Sequence, residues 1–260
     1  MNPERVLAGI ESFASARVVE PLAGGPVSDS YLVERAGERF VLRIDHDVAA
    51  ALGLDRQAEA GILAHVASAG LGPAPVFSNP EKGILIMRYL DGRAWTAGDL
   101  DDAGQIRKLA ALLRTVHALE PYGRPLDLSG VIDRYARLIA TPAADETAAD
   151  ARRLLRELDD PSAPHCLCHG DPNGANVIEG QGLLLIDWEY AGVGDPLFDL
   201  ATLAEHHGFD EHRSALLLDA YDGTESATSR ERFARFRTLY RSVLELWTAA
   251  VEGLRGNEPQ

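Results

Sequence analysis

Residues 169–201, HGDPNGANVIEGQGLLLIDWEYAGVGDPLFDLA, constrain this chain more than any other stretch. An aspartate (Asp171) is followed five positions later by an asparagine (Asn176), and a second aspartate (Asp187) ends an apolar run. Between them Gly180-Gln181-Gly182 predicts the turn of a short β-hairpin, which brings Asn176 and Asp187 to one mouth. That order suits phosphoryl transfer: one carboxylate takes the proton of an attacking hydroxyl, while an amide and a second carboxylate hold Mg²⁺ against nucleotide phosphates. Further on, Pro196 sits where a helix starts, and Asp199 falls in the first turn, where the helix dipole favours a carboxylate.

A chain of 260 residues makes either one large domain or two lobes with a sizeable core. The formal charge of −15, from 40 acidic against 25 basic residues, argues against a nucleic-acid or anionic-membrane partner, which needs a basic face. It is compatible with a cationic small molecule, and equally with an acidic surface that serves solubility alone. Cys166 and Cys168 are too close in sequence for an ordinary disulfide and lack a second pair for zinc, so they read as reduced packing residues. The first residues lack a leader pattern and no segment approaches a membrane span, which predicts a cytoplasmic protein with no membrane insertion.

The N-terminal part reads as strands. A short helical pattern over 4–14 precedes ARVVEPL, the alternating stretch Tyr31 to Arg35, a turn at Ala36-Gly37-Glu38 and the strand RFVLRID. These three strands read as a β-meander, and PAPVF and ILIMRYL form a further hairpin through Asn79–Gly83. Period two puts Phe40, Leu42 and Ile44 on one face of their strand and Val41, Arg43 and Asp45 on the other. In the helix predicted from Asp55 to Ala69, Ile62, Leu63 and Val66 form the buried stripe, with Gly70 at the C′ position. Glu59 lies on that stripe, and a buried carboxylate needs a partner; Arg43 is the natural one. From Ala103 the pattern is helical. Ile106, Leu109, Leu113 and Val116 make one stripe, 129–140 and 147–157 further helices, and Phe233, Phe236, Tyr240, Leu244 and Trp247 line a long helix over 228–254. His117 reads as structural, and Glu205, His206, His207 and His212 fit no metal template.

HGDPNGAN (169–176), IDWEYAG (186–192) and GDPLFDLA (194–201), with Arg43 and Glu59 upstream, resemble the aminoglycoside/choline-kinase-like phosphotransferases, the small-molecule branch of the protein-kinase fold. The resemblance covers nearly the whole chain. It implies an α+β fold with an N-terminal antiparallel sheet lobe carrying one helix (1–89) and a larger, mainly helical C-terminal lobe (90–260). It also implies a reaction, ATP-dependent phosphorylation of an alcohol, with ATP and Mg²⁺ as cofactors. Asp171 would be the base, and Asn176 and Asp187 the metal ligands. Gly24, Gly25 and Ser28, in a loop that begins at Ala23, would cover the phosphates, with Arg43 and Glu59 organising them. Val41 would line the adenine pocket, and Met87, Tyr89 and Leu90 would meet the adenine at the hinge between lobes. Asp199 would brace the backbone of the catalytic loop. For a cationic acceptor, Glu189, Tyr190, Glu205, Tyr240 and Trp247 would form a cage beside Asp171.

The chain departs in places from the patterns it resembles. His-Gly and Asp-Trp-Glu replace the His-Arg and Asp-Phe-Gly of protein kinases, and Arg43 stands where those have lysine. Asp29 replaces the usual asparagine of the Gly-Gly loop. Choline kinases place a cation-binding glutamate seven residues after the Asp199 position; here that residue is His206, and Glu205 is about 100° away around the helix. Choline, ethanolamine and thiamine all stay open as acceptors, and nothing in the pattern favours ATP over GTP or one oligomeric state. Three other readings remain: an aminoglycoside phosphotransferase, a catalytically silent nucleotide-binding regulator, and a metal-dependent hydrolase built on His169, Asp171 and the later histidines.

Overall fold

The computed structural model describes residues 1–22, 24–160, 162–222 and 227–256; Ala23, in the expected phosphate loop, lies outside them. Two compact units divide the chain, Met1–Asp91 and Gly92–Gln260.

The first unit comprises α1 (Pro3–Ala8), β1 (Arg17–Pro21), β2 (Ser28–Arg35), β3 (Glu38–Asp45), α2 (Asp47–Leu52), α3 (Arg56–Ser68), β4 (Pro75–Asn79) and β5 (Ile84–Arg88). Its antiparallel sheet has the order β1-β2-β3-β5-β4, so β5 lies against β3 and sends β4 to the edge. Alternation along β3 sorts the two faces. Phe40, Leu42 and Ile44 join Val33, Ile84 and Ile86 in a core that Leu7, Ile10 and Phe13 close from the N-terminal segment. Val41, Arg43 and Asp45 face the other way, and Val41 pairs directly with Met87 of β5. Asp55 caps α3 by accepting the Ala58 N–H at 2.9 Å, and Gly70 follows it at φ +70°, where a side chain would be strained. Strand β2 begins at Ser28 rather than Tyr31, because Ser28, Asp29 and Ser30 pair with Asp45, Ile44 and Arg43. Backbone pairing thus claims residues that the glycines before them mark as loop.

The second unit contains β6 (Arg93–Ala94), α4 (Ala103–His117), α5 (Leu128–Ile139), α6 (Pro142–Leu158), β7 (Cys166–Cys168), β8 (Val177–Glu179), β9 (Leu183–Leu185), β10 (Gly192–Gly194), α7 (Pro196–His206), α8 (Glu211–Asp222) and α9 (Ala227–Gly256). Helix α9 packs against α5, α6 and α7, while α4 packs against α8. The apolar stripe of α4 is fully buried, as its 3.6-residue period dictates. Strands β8 and β9 form the hairpin, closed by Gly180 N–H to the Gly182 carbonyl at 2.9 Å, and β6 adds to its other side. Strand β7 pairs antiparallel with β10, which holds the start of the 169–176 segment to the end of the 186–192 segment. Cys166 and Cys168 are free and buried, their sulfurs 3.8 Å apart. Among the described residues no helix is long and apolar enough to cross a membrane.

Candidate active site

The loop that leaves β7 is held from several directions. Gly170 has φ +85°, and a Cβ there would lie 2.5 Å from the Tyr190 carbonyl oxygen, so only glycine fits. Asp199, in the first turn of α7, is fully buried and accepts the N–H groups of His169 (2.7 Å) and Gly170 (2.8 Å). Its carboxylate also bonds His117 Nε2 at 3.0 Å, and His117 Nδ1 meets the Tyr221 hydroxyl at 2.8 Å. Burial raises the Asp199 carboxyl, but the His117 hydrogen bond and the charges around it leave it below the usual carboxylate range. His169 is buried under the loop against Trp188, ring centroids 4.5 Å apart. Its Nδ1 accepts the Asp171 N–H at 3.3 Å and its Nε2 donates to the Ile186 carbonyl at 2.9 Å. Burial pushes its pKa down, which matches a neutral ring that accepts at one nitrogen and donates from the other.

Asp171 itself is half-buried, and two amides converge on it. Asn173 Nδ2 donates to its Oδ2 at 2.9 Å; Asn176 Nδ2 donates to its main-chain oxygen at 2.9 Å and reaches Oδ2 at 3.3 Å. With its nitrogen turned to Asp171, Asn176 has only its side-chain oxygen to offer a cation. Ile186 N–H donates to the Asn176 carbonyl at 2.9 Å, which ties the start of the hairpin to its end and brings Asp187 to the same mouth. Asp187 is exposed and adopts φ +66°, a conformation that costs a residue other than glycine about 1–3 kcal/mol. One amide oxygen and one carboxylate are hard oxygen donors, the chemistry that Mg²⁺ takes. No position in the pair requires a soft or nitrogen ligand.

In the first unit, Arg43 and Glu59 make the bidentate ion pair that their shared apolar surroundings require, both contacts at 2.6 Å. Sequence reasoning missed the other half of this cluster. Arg56, buried one turn before Glu59, donates to it at 2.9 Å and to both oxygens of Asp45, at 2.6 and 2.9 Å. Burial opposes ionisation of Glu59, yet Arg43 and then Arg56 hold its carboxyl below the ordinary range. In the glycine loop, Gly25 N–H donates to the Ser28 carbonyl at 3.1 Å, and Gly24 and Gly25 are exposed. Asp29 turns to His46 Nε2 at 3.1 Å. Met87 is partly exposed, Tyr89 N–H donates to the Arg39 carbonyl with the Arg39 guanidinium over the Tyr89 ring, and Leu90 follows, half-buried.

The residues expected at the acceptor fall into two groups within the second unit. Trp247 Nε1 donates to the Tyr190 hydroxyl at 2.9 Å, and Glu189 is buried beside them, its charge raising the phenols of Tyr190 and Tyr135 beyond what burial does. Tyr240 is raised first by burial, then by Asp171 and Glu205. Glu205, however, is already compensated: Arg237 bonds it at 2.9 Å and Arg241 at 2.7 Å. The candidate metal cluster dismissed from sequence does not form among the described residues. The His206 and His207 rings lie with centroids 4.9 Å apart, tilted 58° to each other, and His207 accepts a backbone N–H from the loop.

An antiparallel sheet unit followed by a largely helical unit that carries these loops is the architecture of the kinase-like α+β fold. The chain belongs to the phosphotransferase enzyme family, whose sequence pattern it matches over residues 18–236, and is by that membership an enzyme of the small-molecule kinase class that binds nucleotides. It is 31% identical over 235 residues to thiamine kinase of Salmonella typhimurium, covering 86% of this chain and 77% of that protein. A choline/ethanolamine kinase family protein from Mesorhizobium loti has a solved structure similar to this one, at a TM-score of 0.78 and 25% identity, covering 98% of this chain and 86% of the other. The fold is also that of LicA in complex with AMP, at a TM-score of 0.81, 23% identity, and coverage of 98% and 91%.

Proposed function

We propose that this protein is an ATP- and Mg²⁺-dependent kinase that phosphorylates the hydroxyl of a small cationic alcohol. The observation that carries the reading is Asp171, a carboxylate aimed by Asn173 and Asn176 and set in a loop whose backbone Asp199 fixes. In the proposed step, Asp171 takes the proton of the acceptor hydroxyl as its oxygen attacks the γ-phosphorus in line. A new P–O bond forms, the bond to the β–γ bridging oxygen breaks, and ADP leaves. Asn176 through its amide oxygen and Asp187 through its carboxylate would hold Mg²⁺, which when bound offsets the charge of the phosphates. The first unit (1–89 in our sequence reading) would serve the nucleotide. Arg43 presents N–H donors to phosphate while Glu59, itself shared with Arg56, fixes its fork; Gly24, Gly25 and Ser28 would lie over the phosphates, and Val41, Met87, Tyr89 and Leu90 would border the adenine.

The second unit would bind the acceptor beside its base. Glu189 supplies buried negative charge among Tyr190, Tyr135 and Trp247, a setting suited to an ammonium or thiazolium group. The charges of Asp171 and Glu205 both raise the Tyr240 phenol, and because two arginines compensate Glu205, the part of that carboxylate would be to hold its edge of the site rather than to carry the cation alone. Relatives named as thiamine kinase and choline/ethanolamine kinase support this class of acceptor.

The test is phosphorus NMR of reaction mixtures containing ATP and choline, ethanolamine, thiamine, an aminoglycoside or a neutral sugar. One cationic alcohol should give a phosphate ester in equal amount to ADP, and Trp247→Ala should raise its KM roughly 5- to 30-fold, as loss of one desolvated cation–π contact does. Comparable kcat/KM with a neutral sugar would reject the cage, ester formation only on the aminoglycoside would make it an antibiotic-type enzyme, and no ester at all would leave a silent nucleotide binder.

A further inference from the structure

Helix α7 touches the catalytic loop at both ends. At its first turn Asp199 holds the N–H groups of His169 and Gly170. At its other end the capping residue, His207, accepts the Gly174 N–H on Nε2 at 2.9 Å. Gly174 opens the 3₁₀ turn Gly174–Asn176, which sends the Asn176 side chain back to Asp171. The first N–H of such a turn has no acceptor within it, and Gly174 is buried, so water is not a ready substitute. The next two N–H groups are satisfied locally, Ala175 by Asn173 Oδ1 at 2.9 Å and Asn176 by the Asn173 carbonyl at 3.1 Å. Gly174 alone of the three reaches to another element. A Cβ on it would lie 3.4 Å from His207 Cε1 and 3.4 Å from the Thr96 carbonyl, so imidazole and backbone close over it from two directions.

We propose that His207 is a positioning residue: its Nε2 anchors the Gly174 amide and thereby sets the turn that places Asn176 and Asp171 for transfer. The proposal rests on the phosphotransferase reading for its catalytic consequence, and on the hydrogen bond alone for its mechanical one. Acceptance at Nε2 requires the uncharged ring. Burial, then the neighbouring His206, push the His207 pKa down to about 4 with Arg213 adding to them, while Asp171 and Asp101 pull the other way. At neutral pH the ring is therefore an acceptor. Asp199 and His207 together make α7 a splint along the loop, one end a carboxylate and the other an imidazole.

Three substitutions separate this role from simple packing. Glutamine carries an oxygen near the place of Nε2, leucine fills similar space without an acceptor, and asparagine has an oxygen too close to the backbone to reach Gly174. His207→Leu should lower kcat roughly 10- to 30-fold, as loss of one acceptor for a buried N–H does, with the nucleotide Kd within about twofold of the parent's by that same argument. Amide hydrogen exchange at Gly174 should accelerate in the same variant. His207→Gln should recover both the rate, to within about threefold, and the protection, while His207→Asn should not; if His207→Leu fails to fold, His207→Asn takes its place. Unchanged Gly174 protection in the leucine and asparagine variants would overturn the anchor. So would equal losses of kcat in the glutamine and leucine variants while glutamine keeps the protection. A parent that phosphorylates no alcohol would sink the phosphotransferase reading, and Gly174 exchange would still decide the anchor.

Discussion

Asp187 shows how much backbone cost a single residue bears for its place. At φ +66° it sits in the left-handed region, where asparagine or glycine would be easier, yet it is an aspartate at the end of an apolar strand. Strain of that kind persists where surrounding contacts over-determine it, here Trp188 buried beneath with its Nε1 on the Leu185 carbonyl at 3.0 Å and Ile186 bonded to Asn176. If Asp187 and Asn176 share the metal, their losses should differ. Asp187→Ala should abolish turnover, whereas Asn176→Ala should leave weakened turnover that needs more Mg²⁺, because an amide oxygen contributes less charge than a carboxylate. Titrating Mg²⁺ against initial rate checks this, and an unchanged requirement in both variants would move the metal elsewhere. The Asn176 variant also loses the bond to the Asp171 backbone, so its rate should stay below the parent's even at saturating Mg²⁺.

Elements differ in how far their roles could be read before the structure. Helix α3 and strand β3 were legible because periodicity puts Glu59 on an apolar stripe and Arg43 on a strand face, and two such misfits resolve by pairing. Arg56 was not legible. An arginine at the start of a helix reads as solvated surface, and only the approach of Asp45 from β3 explains its burial. Asn173 and His207 were missed for the same reason: each acts through a backbone or side-chain contact that follows no period. Strand β10, a Gly-Val-Gly, and helix α8, whose Leu-Leu-Leu run has no clear helical face, carry weak signals and form because β7 and α4 cover them. The α3 cluster also makes a prediction. Arg56→Gln leaves the buried Glu59 and the half-buried Asp45 with one cation fewer, and removing one partner from a buried ionic group costs about 3 kcal/mol. Urea unfolding should show that loss with a several-fold rise in the KM for ATP; an unchanged midpoint would mean the cluster is solvated enough to tolerate the change.

For the whole molecule, two shielded histidines set the response to acid, His169 fully buried and His207 half-buried. His169 and His207 both have pKa values pushed down by burial, His207 to about 4 from the ordinary 6.5. Between those values the unfolded chain binds protons that the native state refuses, so stability is full above about pH 6.5 and falls as pH drops toward 4. Glu59 and Asp199, both held below their ordinary values, add a second loss when their carboxylates protonate at still lower pH. Acid also reduces the repulsion within a chain of formal charge −15, which opposes the trend. Salt near 0.15 M screens that term far more than it does the buried groups. At that ionic strength urea midpoints should therefore hold near pH 7 and decline from about pH 6.5 to pH 5, and a flat or rising series would show that the native rings take up protons as readily as the unfolded chain does. The central claim is that Asp171 takes a proton from an alcohol during transfer, and it is tested most directly by ADP release from Asp171→Asn at saturating ATP, Mg²⁺ and the best acceptor. Because asparagine keeps the shape and removes the proton acceptor, turnover should fall about 10²- to 10⁴-fold with nucleotide affinity nearly unchanged. Turnover within a few-fold of the parent's would contradict it.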